Sequence, residues 1–186
     1  MTVRVLALET ATAACSAALY IAGEVRERHA LAPQRHAALI LPMIDALLAE
    51  AQLPVARLDG IAFGRGPGSF TGVRIATSVV QGVAFAADLP VVAISTLAAL
   101  AQGAMRETGT DRVLAALDAR MSEVYWGVYL QDSNAMARLQ GEECACAPDR
   151  VPLPDGEAWT GAGSGWMTHA DALRLCCGER VVRLLP

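Results

Sequence analysis

The sequence contains no lysine, and its 15 basic residues are all arginines scattered singly along the chain. With 19 acidic residues, the net charge is −4 and the isoelectric point is about 5.3. A protein that grips nucleic acid unaided usually carries a basic stripe, because phosphate contacts supply most of the non-specific affinity. The missing stripe argues against direct nucleic-acid binding by this chain alone.

Long apolar runs are also missing. No uncharged apolar run reaches the roughly 18 residues that a membrane span needs, and the longest candidate, residues 75–87, is interrupted by small and polar side chains. A signal peptide is not visible either, because Glu9 interrupts the first apolar stretch. The expected protein is therefore cytoplasmic and does not enter a membrane.

Patterns typical of metal sites are absent from the sequence. Its five cysteines are Cys15, Cys144, Cys146, Cys176 and Cys177. The C-x-C and C-C pairs differ from the C-x-x-C pairs of zinc sites, so we expect free thiols, with a redox role as the alternative. Its three histidines are His29, His36 and His169. They do not form an H-x-x-x-H or H-E-x-x-H pair, so neither a metal nor another cofactor is predicted.

Nucleophilic catalysis also lacks its usual motif. A nucleophile elbow needs the pattern G-x-S-x-G, and neither Ser69 nor Ser164 lies in one. No catalytic residue is predicted. By contrast, apolar material is plentiful, with 54% hydrophobic residues and a mean hydropathy of +0.36. This surplus indicates a surface that a partner covers.

The periodicity of the first half predicts an α/β fold with a mixed sheet. Strands are predicted at 3–9, 15–22, 24–31, 59–63 and 91–94, and helices at 34–51, 70–87 and 96–106. Pro42 should kink or restart the first of these helices. In the remainder, a loop is expected at 141–156 and a helix ending near Cys176.

The second half echoes the first. The segment RVLAL ends in Glu9 and is followed by Tyr20, and RVLAALD ends in Asp118 and is followed by Tyr129 at the same spacing. Chance is one explanation, and two similar lobes with an acid at the same strand end are the other. Together with a boundary near 109–111, the echo predicts an N-terminal domain at 1–108 and a C-terminal domain at 109–186.

A glycine-rich segment, residues 65–74 (RGPGSFTGVR), is the most specific stretch. It predicts a strand-to-helix turn in which glycines permit close backbone approach. Ser69 or Thr71 can cap the helix, whose free N–H groups could hold an anion.

This segment, with LALETAT at 6–12, RHAALILP at 35–42 and LDARMSEVY at 117–125, resembles the TsaB (YeaZ) family. The resemblance implies the actin-like/Hsp70-type (ASKHA) fold, with two ribonuclease-H-like lobes. It also implies a non-catalytic subunit that supports TsaD, with the ATPase TsaE joining, in forming threonylcarbamoyladenosine on tRNA beside the anticodon. TsaC supplies threonylcarbamoyl-adenylate. Family members are usually longer, which leaves open whether the second lobe is complete.

Acids at these strand ends bind magnesium or position water in active members of the superfamily. The glycine-rich loop could also cradle phosphate, although the family resemblance makes it mainly a structural corner that leads into the helix. The possible nucleotide-proximal residues are therefore Glu9, Gly66, Gly68, Ser69 and Asp118. The alternative function is a nucleotide-dependent phosphotransferase or ATPase. However, the motif loops offer no lysine to clamp phosphate, and both acids can instead accept hydrogen bonds from adjacent turns.

Two helices carry more apolar surface than one buried face requires. Between Phe70 and Ala87 the only charged residue is Arg74, and a mixture of Phe, Arg and small polar residues is typical of an interface. The first helix is either a second interface helix or is sandwiched inside its own domain. In the family, these helices pair with TsaD, or with a second copy when TsaD is absent. The predicted contact residues are His36, Leu39, Ile40, Met43, Phe70, Thr71, Arg74, Thr77, Ser78 and Phe85.

Overall fold

A computed structural model describes residues 2–185 of the chain. The strands are β1 (Arg4–Glu9), β2 (Ala14–Ile21), β3 (Glu24–Leu31), β4 (Gly60–Gly64), β5 (Val91–Ile94), β6 (Arg112–Arg120), β7 (Glu123–Gln131), β8 (Ala137–Cys146), β9 (Trp159–Ala162) and β10 (Val181–Leu185). The α-helices are α1 (His36–Glu50), α2 (Phe70–Ala87), α3 (Thr96–Thr108), α4 (Gly165–Thr168) and α5 (Ala170–Cys177). The chain divides into two compact units, Met1–Thr96 and Leu97–Pro186.

Unit 1 is built on a five-stranded sheet with the order β3-β2-β1-β4-β5. Alternate residues of β1, such as Leu6 and Leu8, are buried, as expected for a strand with one face on the core. α1 and α2 supply the other side of that core, which is almost wholly aliphatic. α2 packs inward through small side chains at helical spacing, namely Gly72, Ala76, Val80 and Ala84.

Unit 2 is built on a second five-stranded sheet with the order β10-β9-β6-β7-β8. One face carries a core that includes Trp126, Trp159 and Trp166, all buried, together with Leu173 of α5. The other face carries a second core, formed with Leu97 and other residues of α3. Sheet 2 therefore has helices packed on both of its faces.

The two sheets share one topology. In unit 1, β1 pairs with β2 antiparallel and with β4 parallel, and in unit 2 β6 pairs in the same way with β7 and β9. Even the register agrees, since Val5 lies opposite Tyr20 and Val113 lies opposite Tyr129. The echo seen in the sequence is thus a repeated structural unit, and the predicted two-lobed α/β fold with mixed sheets is confirmed.

Most predicted elements of the first half match the structure within two residues. α1 continues through Pro42 as one helix, so a restart there is not observed. The loop expected at 141–156 is wrong at its start, because β8 continues to Cys146 by pairing with β7. The last predicted helix is split at His169, whose backbone leaves the helical conformation with ψ of 34°.

α3 decides where the units divide. Its side chains pack within unit 2, and the Gln102 amide donates to the Ala135 carbonyl at 3.0 Å while its oxygen accepts from Ala137 N at 2.8 Å. The units therefore divide between Thr96 and Leu97, before the 108/109 domain boundary that the sequence predicts. The signal at 109–111 marks instead the connection from α3 to β6.

Among residues 2–185, α2 is long and apolar enough to cross a membrane by length and composition. One such helix is weak support for a membrane span, since helices of soluble proteins pass the same test. The inner stripe of α2 packs against unit 1, yet only 22% of the helix is buried. The other residues of α2 form a largely uncharged surface that is exposed to solvent.

Candidate protein interface

The glycine-rich turn between β4 and α2 is held by bonds within unit 1. Ser69 caps α2, because its hydroxyl oxygen accepts from Gly72 N at 3.3 Å. Ser69 N donates to the Ala11 carbonyl at 2.7 Å, and the Thr10 hydroxyl donates to the Gly72 carbonyl at 2.7 Å. A side chain at Gly72 would overlap the Thr10 carbonyl, so glycine is required by this close approach.

Glu9, the acid at the end of β1, is engaged on both carboxylate oxygens. Oε1 accepts from Ala11 N at 2.6 Å, and Oε2 accepts from the Thr96 hydroxyl at 2.9 Å. Gly64 leaves room for this carboxylate, since a methyl group there would overlap it. Gly66 is buried and Gly68 approaches the Ala11 carbonyl closely. These contacts support the turn, and both oxygens of the Glu9 carboxylate already accept hydrogen bonds.

Asp118, the equivalent acid in unit 2, has a different set of partners. Its Oδ1 accepts from Arg120 N at 3.0 Å and lies 3.2 Å from His169 Nε2, while its backbone N donates to the Ser164 hydroxyl oxygen at 3.2 Å. Sequence reasoning missed both His169 and Ser164 as partners, because they lie far along the chain. The repeat offers a signal for Ser164, which follows β9 as Ser69 follows β4.

The described residues do not offer a cluster of side chains that could ligate a metal ion. Among residues 2–185, no group of three or more His, Cys, Asp or Glu side chains is placed to hold a metal ion. In the arrangement seen, the carboxylates of Glu9 and Asp118 accept hydrogen bonds from neighbouring groups.

The outer face of α2 exposes large apolar side chains. Phe70 is 72% and Phe85 92% exposed. Thr71, Arg74 and Ser78 are exposed on the same face, and Thr77 is half-buried with its hydroxyl donating to the Val73 carbonyl at 2.8 Å. All six α2 residues of the predicted contact set thus present surface to solvent.

The predicted contact residues of α1 lie mostly inside unit 1. Ile40 is fully buried in the core, and His36 is 7% exposed, with Nε2 3.0 Å from the Thr12 carbonyl. Leu39 and Met43 are half-buried and pack against the core. The contact set is therefore corrected: the alternative that α1 is sandwiched within its domain applies to Ile40 and His36. The apolar surface that α1 does expose is centred on Leu41, at 48%.

A shallow groove of about 350 Å³ runs along α2 beside the start of α1. Its lining is Ala37, Phe70, Thr71, Arg74, Ile75, Ser78 and Val79. Arg74 is the single charged residue in this lining, and its guanidinium carbon lies 3.2 Å from the centroid of the Phe70 ring. Arg74 Nη1 also donates to the Phe70 carbonyl at 3.1 Å. Aromatic and arginine side chains around an apolar groove are typical of protein interfaces.

The repeated mixed-sheet unit places the chain in the actin-like (ASKHA) fold class. The most distinctive surface of this chain is the apolar outer face of α2. Residues 28–158 match the family model described as TsaD: tRNA N6-adenosine threonylcarbamoyltransferase. The structure of YeaZ from Pseudomonas aeruginosa is 49% identical and covers 98% of this chain and 83% of its own, with a TM-score of 0.91.

Curated relatives agree with this class. The tRNA threonylcarbamoyladenosine biosynthesis protein TsaB of Escherichia coli is 44% identical over 172 residues, which cover 90% of this chain and 74% of that protein. TsaB of Haemophilus influenzae is 42% identical, covering 89% and 73%. The chain belongs to the TsaB (YeaZ) family.

Proposed function

We propose that this chain is a non-catalytic subunit in the biosynthesis of threonylcarbamoyladenosine on tRNA, and that it binds and supports TsaD. The relatives named above carry the name of this pathway. The single observation that carries the subunit role is the pair of exposed phenylalanines, Phe70 and Phe85, on an otherwise nearly uncharged helix. Large exposed apolar patches mark interaction sites.

The match between this chain and the TsaD family model supports TsaD as the partner for this surface. The TsaD family model matches residues 28–158, which include α1 and α2. TsaD therefore has a related fold, and related folds can pair through equivalent helices, as two copies of one chain do across a two-fold axis. The same surface would pair two copies of this chain when TsaD is absent.

The proposal has further parts, which extend the family resemblance to the assembly, the tRNA and the location of this chain. TsaE joins the assembly with TsaD, and tRNA contacts this chain only indirectly, since the net charge is −4. The protein acts in the cytoplasm and does not enter a membrane. The absence of catalysis is supported by the carboxylate of Glu9, whose two oxygens are bonded to Ala11 N and the Thr96 hydroxyl.

The experiment is co-purification of TsaD with tagged wild type and with the variants Phe85→Asp and Arg74→Glu. Each variant places a negative charge in the apolar face, where an unpaired charge is costly to desolvate. We expect at least about a hundredfold weaker TsaD binding for Phe85→Asp, equivalent to about 2.8 kcal/mol. Arg74→Glu should weaken binding as well.

Met121→Asp is the matched control, because Met121 is 93% exposed and lies outside α1 and α2. It should retain TsaD. Wild-type binding by both α2 variants would reject the interface. Magnesium- and Glu9-dependent ATP hydrolysis by the chain alone would favour the phosphotransferase or ATPase alternative.

A further inference from the structure

The sheet of unit 1 has a second face, on the side opposite α1 and α2. Side chains of a strand alternate between the two faces of its sheet, and Leu6 and Leu8 lie on the face that packs against α1 and α2. The register of the strands places an apolar set on the second face, named here the open face: Val5, Ala7, Ala18, Tyr20, Val25, Ala62, Val92 and Ile94. A sheet face that meets water is normally polar, so this composition is that of a face that becomes covered.

The open face is accessible to solvent along both of its sides. Val25 on β3 is 59% exposed, Val92 on β5 is 56% exposed and Tyr20 on β2 is 40% exposed. The positions between them on β1 and β4 carry a valine and alanines, which are half-buried. Two polar residues of the same side, Glu27 and His29, lie on the edge strand β3. Larger side chains at the two sides and alanines at the centre leave a shallow apolar depression.

The equivalent face of sheet 2 is built from the same residues. Four pairs of equivalent positions are identical: Val5 and Val113, Tyr20 and Tyr129, Ala7 and Ala115, and Ala62 and Ala162. The four members in unit 2 are all buried, whereas those in unit 1 are half-buried or exposed. The repeated unit therefore presents one set of side chains twice, covered in unit 2 and open in unit 1.

α3 is the element that covers this set in unit 2. Its buried stripe consists of Leu97, Ala101, Ala104 and Met105, which pack in one core with the four residues of sheet 2. The spacing i, i+4, i+7, i+8 is that of one face of an amphipathic helix. Small residues in the middle of the stripe let the helix approach the alanines of the sheet closely. The side chains shared by the two sheets thus fit a helix of this composition.

We propose that the open face binds an amphipathic α-helix of a partner protein, with an apolar stripe of leucine, alanine and methionine like that of α3. An apolar sheet face is stable when another layer of secondary structure covers it, and anchors at helical spacing are a common mode of peptide recognition. Glu27, exposed at the β3 side, favours a basic residue on the flank of that helix. The site lies on the opposite side of the sheet from α2, so it is separate from the surface proposed for TsaD.

The test is a titration of the full chain with a synthetic peptide of residues 95–109, monitored through the backbone amides by two-dimensional NMR. The peptide contains the α3 stripe and serves as the probe for the partner helix. An isolated helix of this length is only marginally formed in water, so weak and saturable binding is expected. Amides of β1, β2 and β5 should shift, and those of α2 should not. A peptide with Leu97→Asp and Met105→Asp should not bind.

Val92→Glu and Val91→Glu are a matched pair of variants of the full chain. Both valines are exposed on β5, and they point to opposite faces of the sheet. Val92→Glu should weaken peptide binding by at least about tenfold, because the helix would cover an unpaired charge. Val91→Glu should leave the affinity unchanged.

Three outcomes would overturn the proposal. Absence of saturable shifts on the sheet of unit 1, or shifts confined to α2 or to unit 2, would mean that the open face does not accept this helix. Equal loss of binding in Val92→Glu and Val91→Glu would mean that β5 itself, and not the open face, is required. Concentration-dependent shifts of the same amides without peptide would assign the open face to a second copy of this chain.

Discussion

The two units share a sheet order but place their aromatic residues oppositely. Unit 2 contains all three tryptophans, and each is buried. Trp126 and Trp166 lie with ring centroids 5.8 Å apart, and their indole N–H groups donate to the carbonyls of Pro152 and Leu114. Unit 1 contains all three phenylalanines, and it leaves Phe70 and Phe85 exposed.

The difference lies in the helices that follow equivalent strands. After β9, the short α4 and α5 turn Trp166 and Leu173 inward. After β4, the 18-residue α2 buries only small side chains and turns its phenylalanines outward. One scaffold thus carries a self-contained core in unit 2 and an uncovered helix face in unit 1, which is where a partner is expected.

The largest expected difference between the two units is in the free energy of unfolding after an aromatic side chain is truncated in each. Trp126→Ala should lower the free energy of unfolding by about 3–5 kcal/mol, because it removes a fully buried ring and leaves a cavity. Phe85→Ala should change it by less than about 0.5 kcal/mol, because its ring is exposed. Urea unfolding of both variants measures the contrast. A cost above about 2 kcal/mol for Phe85→Ala would mean that α2 is not an open surface.

A smaller effect distinguishes the two strand-end acids. Glu9→Gln should cost about 1–3 kcal/mol, because the amide cannot accept both hydrogen bonds that the carboxylate accepts. Asp118→Asn should cost less, since Asp118 is bonded to an adjacent turn and to one histidine. Thermal unfolding with and without magnesium–ATP is the measurement. Stabilisation of wild type by the nucleotide, lost in Glu9→Gln, would assign Glu9 to binding rather than to the turn.

The smallest effect concerns the serines that follow β4 and β9. Ser69→Ala should cost about 1 kcal/mol and speed amide exchange in the first turn of α2, because it removes an N-cap. Ser164→Ala should leave the amides of α4 unchanged, because that hydroxyl does not cap its helix. Hydrogen exchange resolved by residue tests the pair, and equal exchange at the start of α2 in wild type and Ser69→Ala would contradict the capping role.

Much of the fold is predictable from the sequence because its patterns are local. The continuous apolar run of β1 and the boundaries of α2 are set by nearby residues, and the repeat reveals the second sheet. β8 is different: it is exposed along most of its length, so its residues show no apolar alternation, and pairing with β7 alone makes it a strand.

The candidate interface is predictable on α2 and not on α1. α2 has one apolar side and one mixed side, so its outward residues can be read from a helical wheel. α1 is apolar over most of its circumference, and sequence cannot decide which part faces the core. In the structure, Ile40 and Ile44 lie in the core of unit 1, whereas Leu41 is exposed to solvent.

The stacking of Arg74 on Phe70 has an entropic consequence for association. Ordering a long, freely rotating side chain at an interface costs about 0.5–1.5 kcal/mol. Arg74 is already restrained by the ring beneath its guanidinium and by the bond to the Phe70 carbonyl. A partner that meets this helix therefore finds its single positive charge in place, and little mobility is left to lose when the two surfaces join.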